Sequence, residues 1–533
     1  MDEFDFIIVG GGSAGSVLAE RLTICGRHRV LLLEAGGTDR LPWVKVPIGY
    51  GKSFYDRRVN WCFSSEPEQG LNGRTVYWPR GKVLGGSSSI NGLVWMRGLA
   101  GDFDDWASEG NAGWAWQDIA PTFDQIEALD QKNAEQSGRV SVAARSNEYH
   151  PIGHAYLSAA RAAGLPDAPH DNSHWSEGVA PYRITTLRGL RHSAADAFVR
   201  PAMRRKNLIV RTGVMVDRVL FEDRRAKTVR YARAGRGEIA TASRAVVLAA
   251  GAVGSPAILQ RSGIGPGPLL TELGVQPIYE NSMVGGGLQD HLGIDYLFRA
   301  TQPTLNQVLG TWRGQIGAAL RFALSRSGPL SLSVNQMGGL VRSSHGLNRA
   351  DLQLYFNPLS YTTQRRNRRV LLRPDPWPGF AFGFNACRPT SRGRVDIQSK
   401  DPGVAPRIAP NYVSTKDDVA SAIAGARLIA RVLETPELRD LVAEPNGFTP
   451  QGMSDREILE DFRARASSVF HACGTCRMAP QAKDGVVDST LKVHGVDGLR
   501  VVDASVFPNI TSANTNAPTI MVAARAAEMI LKE

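Results

Sequence analysis

The sequence predicts an α/β protein that starts with a dinucleotide-binding unit, and three observations near its beginning predict it. Phe4 to Val9 reads as a buried strand and runs straight into Gly10-Gly11-Gly12-Ser13-Ala14-Gly15. A helical pattern follows through Ser16, Val17, Leu18, Ala19 and Leu22. A second apolar strand, Val30 to Leu33, then ends in Glu34. In such a Rossmann unit Gly10 permits the tight turn, Gly12 admits a pyrophosphate to the backbone amides, and Gly15 lets helix and sheet pack closely. The helix start turns its partial positive charge to the phosphates, and Glu34 is placed to accept a ribose hydroxyl.

Gly11-Gly12-Ser13-Ala14-Gly15 also fits the nucleophile elbow of serine hydrolases. Only nine residues precede the glycines, whereas an elbow follows several strands, and Glu34 has no part in a triad. The dinucleotide reading is preferred, and the hydrolase stays as its alternative.

With 533 residues, 43% hydrophobic and 21% charged, the chain has room for two domains or one domain with an inserted lobe. Its 55 glycines and 30 prolines follow no repeat, which excludes a fibre. No run of 18 apolar residues occurs, so no transmembrane segment is expected. The acidic start Met1-Asp2-Glu3-Phe4-Asp5 is unlike a secretory signal, and the five cysteines are too few and scattered for a disulfide framework. A cytoplasmic protein is expected. The net charge of +11, densest at Arg365, Arg366, Arg368 and Arg369, reads as a solvated basic surface. No nucleic-acid motif accompanies it, and nothing stands out as an amphipathic anchor for the peripheral membrane contact that the charge alone allows.

Further along, Trp78 to Gly92 is a second glycine- and serine-rich stretch, with backbone able to approach a phosphate or a polar ring edge. Near the end come Val501-Val502-Asp503-Ala504-Ser505 and Asn514 to Thr519, then an Ala-rich helix from Ile520 to Leu531. Pro518 suits the first turn of that helix and Asn516 a cap before it. His150 with His154, and His170 with His174, have chelating spacing but no completing ligands, so no metal is expected. Cys473-Gly474-Thr475-Cys476 lacks the surroundings of a thiol redox motif.

Five segments in order resemble the glucose–methanol–choline (GMC) oxidoreductases, FAD-dependent alcohol dehydrogenases and oxidases. They are Gly10–Gly15 with Glu34, Arg80–Asn91, Gly251–Leu259, His471–Met478 and Asp503–Thr519. The resemblance implies a discontinuous FAD domain made from residues 1–145, 190–295 and 465–533. Residues 146–189 and 296–464 would form a substrate lobe on an antiparallel sheet. It implies FAD contacts at Gly10, Gly12, Ser13, Ala14, Gly15, Glu34, Ala35, Val83, Gly85, Ser87, Asn91, Gly92, Val94, Val216, Ala250, Gly251, Asp503, Ala504, Asn516, Pro518 and Thr519. It makes His471 the base for an alcohol proton and Asn514 the group that orients the hydroxyl, a task suited to a neutral imidazole. Cys387 with Arg388 is similar to residues of a light-driven decarboxylase branch, which stays as a remote alternative.

Two departures narrow the expectation. Members that bind FAD covalently use a histidine where this chain has Ile90, so noncovalent FAD is expected. Choline-oxidising members place a glutamate before a Gly-Gly pair, and the matching position holds Gln336. The expected reaction is therefore oxidation of a neutral primary alcohol, aliphatic or aryl, to an aldehyde, with electrons passed to a quinone, a redox protein or another non-oxygen acceptor. An oxidase using oxygen and a choline dehydrogenase are the alternatives. Trp61, Gln336, Phe356, Asn357 and Tyr361 are the candidate pocket residues.

Overall fold

Strands buried along their whole length need cover on both faces, the condition of a parallel sheet flanked by helices. Val30–Glu34 is buried throughout and Glu3–Val9 nearly so. In the computed structural model, which describes residues 3–130, 138–168, 177–366 and 369–533, these two strands lie parallel at the centre of a seven-stranded sheet. His170, His174 and Arg368 fall outside the described residues.

The sheet runs Leu208–Thr212, Val30–Glu34, Glu3–Val9, Arg236–Leu248, Arg225–Arg233, Val214–Glu222. Its longest strand has two characters. The polar first part, Arg236 to Thr241, pairs antiparallel with Arg225–Arg233. The buried end, Val246 to Leu248, takes Leu499–Val501 as a parallel partner. One strand thus joins segments from the beginning, middle and end of the chain.

The helix Ser13–Thr23 packs against the last helix, Asn516–Lys532. That last helix begins four residues before the Ile520 expected from the sequence, and Asn516 is its first residue rather than its cap. The reason is a competing bond: Asn516 Oδ1 accepts the Ser13 hydroxyl at 2.7 Å, tying the two helix starts together. Pro518 sits in the first turn, as expected.

A second seven-stranded sheet is antiparallel, in the order Val442–Pro445, Leu292–Ala300, Gly379–Ala386, Leu352–Asn357, Met337–Val341, Gly178–Pro181, with the short Ser467–Ser468 also pairing Leu292–Ala300. Its strand Leu292–Ala300 straddles the boundary expected at residue 295. Phe298, Phe356, Phe380 and Phe382 form its buried aromatic core. The helix Lys416–Leu433 covers it. An α/β fold with a parallel nucleotide-binding type of sheet and a separate antiparallel sheet is what the sequence predicts.

Candidate active site

Two glycine turns meet backbone to backbone beside the first strand. Gly15 has no room for a side chain, since a Cβ there would lie 1.8 Å from the Gly10 carbonyl oxygen. Gly86 has φ +55°, and a Cβ on it would lie 2.6 Å from Gly12 Cα. The contact therefore requires glycine at this point of the second turn. Glu34 fixes the first turn: its two oxygens accept the Gly11 and Gly36 amides, each at 2.7 Å. Burial raises its carboxyl pKa to about 7 against those two bonds.

These turns suit a dinucleotide. The helix Ser13–Thr23 starts from Gly12 with no side-chain cap and no acid in its first turn, which leaves its amides for an anion. Gly12, Ser13, Ala35, Ser87, Asn91, Gly92, Ala250, Gly251, Ala504 and Asn516 stay half-buried among buried neighbours. Asp503 organises the far side, accepting Gly251 N–H at 2.8 Å, the Ser255 hydroxyl at 2.6 Å and Ser505 N–H at 2.8 Å. Thr519 donates its hydroxyl to the Thr515 carbonyl. Ser13 bonds Asn516 and no histidine, so the elbow reading finds no triad around it.

His471 stands at the junction of the two sheets. The segments 289–291 and 469–473 run antiparallel, with Cys473 N–H donating to the Gln289 carbonyl at 2.9 Å and Val469 N–H to the His291 carbonyl at 3.0 Å. This pairing sets two imidazoles edge to face, with His291 Nδ1 and His471 Nδ1 2.9 Å apart. The remaining bonds settle the protons. His291 Nε2 lies 2.8 Å from the Cys387 carbonyl, which only accepts, so that nitrogen carries hydrogen. Neutral His291 then accepts at Nδ1, and His471 donates from Nδ1. The unprotonated nitrogen of His471 is Nε2, 3.0 Å from the Asn514 amide nitrogen. Asn514 is oriented in turn, because its oxygen accepts from Gln353 Nε2 at 3.2 Å and Gln353 accepts the Tyr355 hydroxyl at 2.7 Å.

Electrostatics keep both rings neutral. Burial, then His291 and Arg80, hold His471 well below the ordinary histidine pKa. Burial lowers His291 to about 4. Asp290 accepts His471 N–H at 2.7 Å together with the Tyr412 and Ser468 hydroxyls, anchoring the backbone at His471. Phe470, just before it, is held at φ +71°, a strained conformation for a bulky residue.

Other expected positions have different surroundings. Val83 packs with Val44, Val59 and Ile90, and Val216 lies buried in its strand. Val94 is interior, beside Tyr182 and Ala513. Gly85, at φ +88°, precedes the turn Gly86–Ser89. Ala14 and Pro518 are buried in their helices. Trp61 stacks on Phe63 with Lys82 over its ring. Two of the expected pocket residues are turned inward instead. Gln336 accepts the His150 amide at 2.8 Å, and Phe356 is fully buried against Tyr156. Asn357 is buried with an unpartnered amide oxygen, and Tyr361 packs beside Leu305, Val334 and Leu359. Cys473 and Cys476 are buried, free thiols, and burial pushes both pKa values up. Cys387 is buried and free as well.

The sequence reading missed His291, Asp290 and Gln353. The usable signal was chemical: a base that presents Nε2 needs an acceptor for its Nδ1–H. Nothing local in the sequence says which residue provides it.

The GMC oxidoreductase family models match residues 4–293 and 389–523. The chain is 37% identical to an oxygen-dependent choline dehydrogenase of Photobacterium profundum, over 99% of this chain and 93% of that protein. It is 36% identical to an alcohol dehydrogenase [acceptor] of Pseudomonas putida, over 99% and 96%. Among solved structures, pyridoxine 4-oxidase from Mesorbium loti superposes with a TM-score of 0.87 at 28% identity, covering 99% of each chain.

Proposed function

The chain belongs to the GMC oxidoreductase family and is an FAD-dependent oxidoreductase of CH–OH groups; on that premise we propose that it oxidises a neutral primary alcohol to an aldehyde, with His471 as base. The observation that carries this is the bond chain from the Cys387 carbonyl to Asn514, which leaves Nε2 of His471 as the one ring nitrogen able to take a proton. An entering hydroxyl replaces the His471–Asn514 bond with two of its own. It donates to Nε2 and accepts from the Asn514 amide, which aims its carbon–hydrogen bond. FAD, when bound, supplies the acceptor for the hydride that leaves the alcohol carbon. The glycine turns and the uncapped start of Ser13–Thr23 hold the pyrophosphate, Glu34 the ribose, and Gly251, Ala504 and Asn516–Thr519 line the rest of the cofactor site. Ile90 has no nucleophilic nitrogen, so the cofactor is held noncovalently. The division into three FAD-domain and two lobe segments belongs to the same reading.

A neutral substrate follows from the charges. The buried ions beneath His471, Asp290 and Arg80, compensate one another. Among the described residues no carboxylate bonds the His471 or Asn514 side chain, and Gln336 is an amide already engaged with His150. A quaternary ammonium finds no counter-charge in this set. The relative named alcohol dehydrogenase [acceptor] fits a non-oxygen acceptor, and the one named oxygen-dependent choline dehydrogenase keeps an oxidase as the alternative. Free thiols at all five cysteines fit a cytoplasmic protein.

The test is the visible spectrum of the holoenzyme under argon as primary alcohols and choline are added, with air admitted afterwards. Neutral alcohols are expected to bleach the yellow band, choline to bleach it poorly, and air to restore the colour slowly. Bleaching by choline alone would overturn the substrate class, and immediate recolouring would make the enzyme an oxidase.

A further inference from the structure

A surface helix buries one stripe and normally gives a polar face to water. The helix Trp312–Ser325 departs from this. Its buried residues are Ala318 and Phe322, and on the opposite side Trp312, Ile316, Leu320 and Leu324 are 68%, 52%, 58% and 86% exposed. Four-residue spacing sets them in one row roughly 18 Å long. Four of the ten large hydrophobic side chains exposed among the described residues sit here, so the row is not the scatter of single apolar residues that any surface carries.

Charge around the row has one sign. No Asp or Glu occurs from Tyr296 through Ala350, a stretch with six arginines. Residues 296–374 together hold eleven arginines against Asp351, which is ten of the chain's eleven net positive charges. Arg313 lies on the same face as the row, Arg321 beside it, and Arg326 closes the helix. The arginine-rich hairpin of Tyr361–Arg366 and Arg369–Pro374 starts at a small cluster where Tyr361 and Leu309, in the short helix Leu305–Leu309 that precedes and packs on this one, meet Leu305, Val334 and Leu359. Two nearby acids, Glu148 and Glu444, are paired with Arg145 and Arg299.

We propose that this helix docks the enzyme on an anionic lipid bilayer. The aliphatic row enters the acyl boundary, the Trp312 indole rests at headgroup level, and Arg313, Arg321 and Arg326 bind lipid phosphates. Two copies meeting through the row would set two strongly basic segments against each other, which argues for lipid over a second chain. The pattern escaped the sequence reading because Gly314, Gly317, Ala318, Ala319 and Ala323 dilute it. Only the placement of Ala318 and Phe322 shows which side is covered.

The test is co-sedimentation of the holoenzyme with vesicles of phosphatidylglycerol and phosphatidylcholine in equal parts, and with phosphatidylcholine alone. The wild type is expected to pellet with the anionic vesicles and stay in solution with the neutral ones. The double variant Leu320→Glu, Leu324→Glu should lose at least about tenfold in partition, with turnover of a soluble alcohol unchanged. Arg313→Gln with Arg321→Gln should weaken binding several-fold and flatten its salt dependence. A wild type that stays in the supernatant, or a leucine variant that pellets as well as wild type, overturns the proposal. So does a wild-type dimer in sedimentation velocity that the leucine variant turns into a monomer.

Discussion

At the residue scale the centre is a single unprotonated nitrogen. His471→Ala should keep its FAD absorbance yet slow bleaching by alcohol at least about 100-fold, measured by anaerobic stopped flow. His291→Leu removes the acceptor that fixes the tautomer. It is expected to lower kcat by about 10- to 100-fold with little change in KM, and Nδ1–H of His471 is then free to turn to other partners. Acidity gives an independent reading. Burial and the charges around it depress His471, so the acid limb of kcat/KM should fall well below the ordinary histidine value near pH 6.5. For stability the sign is that of a depressed group. The unfolded chain takes up protons near 6.5 while His291 resists until about 4, so its contribution is full above 6.5 and lost as pH falls toward 4. His291→Leu should accordingly lose less stability than wild type between pH 7.5 and 5 in urea titrations. His471 and Asn514 could be singled out from their motifs, and the structure sets them 3.0 Å apart. His291 could not, because it lies 180 residues from His471 and the two meet only through pairing of distant segments.

At the scale of elements, the opening strand, turn, helix and strand could be read directly. Their signals are local: apolar runs, glycines where a Cβ would collide, and an acid at the strand end. The second glycine turn could be found but not placed, since its packing on Gly12 is a tertiary fact. Gly86→Ala tests that packing. A side chain at positive φ and 2.6 Å from Gly12 Cα should push the turns apart and weaken FAD retention at least about tenfold, read from the ratio of visible to ultraviolet absorbance after gel filtration. The surroundings of the expected pocket residues were hidden for a different reason. Phe356 lies in a strand of an antiparallel sheet and Gln336 just before another, where a shift of one residue reverses which side chain faces inward. A single sequence does not fix that register.

Across the whole molecule, the residues proposed to hold FAD come from separate parts of the chain, so cofactor and fold should be thermodynamically linked. Removal of FAD is expected to lower Tm, with the loss restored as added FAD exceeds its Kd, by calorimetry of apo- and holoprotein. The fold class and two-sheet plan were legible because five motifs occur in a fixed order. The closure of the first helix on the last was not, since it depends on pairs such as Ser13 with Asn516, 503 residues apart.

The strand Arg236–Leu248 has one neighbour from residues 3–9 and another from residues 499–501. Synthesis on the ribosome meets that arrangement in order. At about 5–20 residues per second, the first strand waits roughly 25 to 100 s for its sheet to be finished. Throughout that interval the nascent chain carries a glycine turn without the partner that bonds Ser13, and for its second half a central strand with an open edge at Val246–Leu248. The topology thus leaves this edge open to mispairing until the chain is nearly finished, and slow codons before Leu499 would lengthen the exposure.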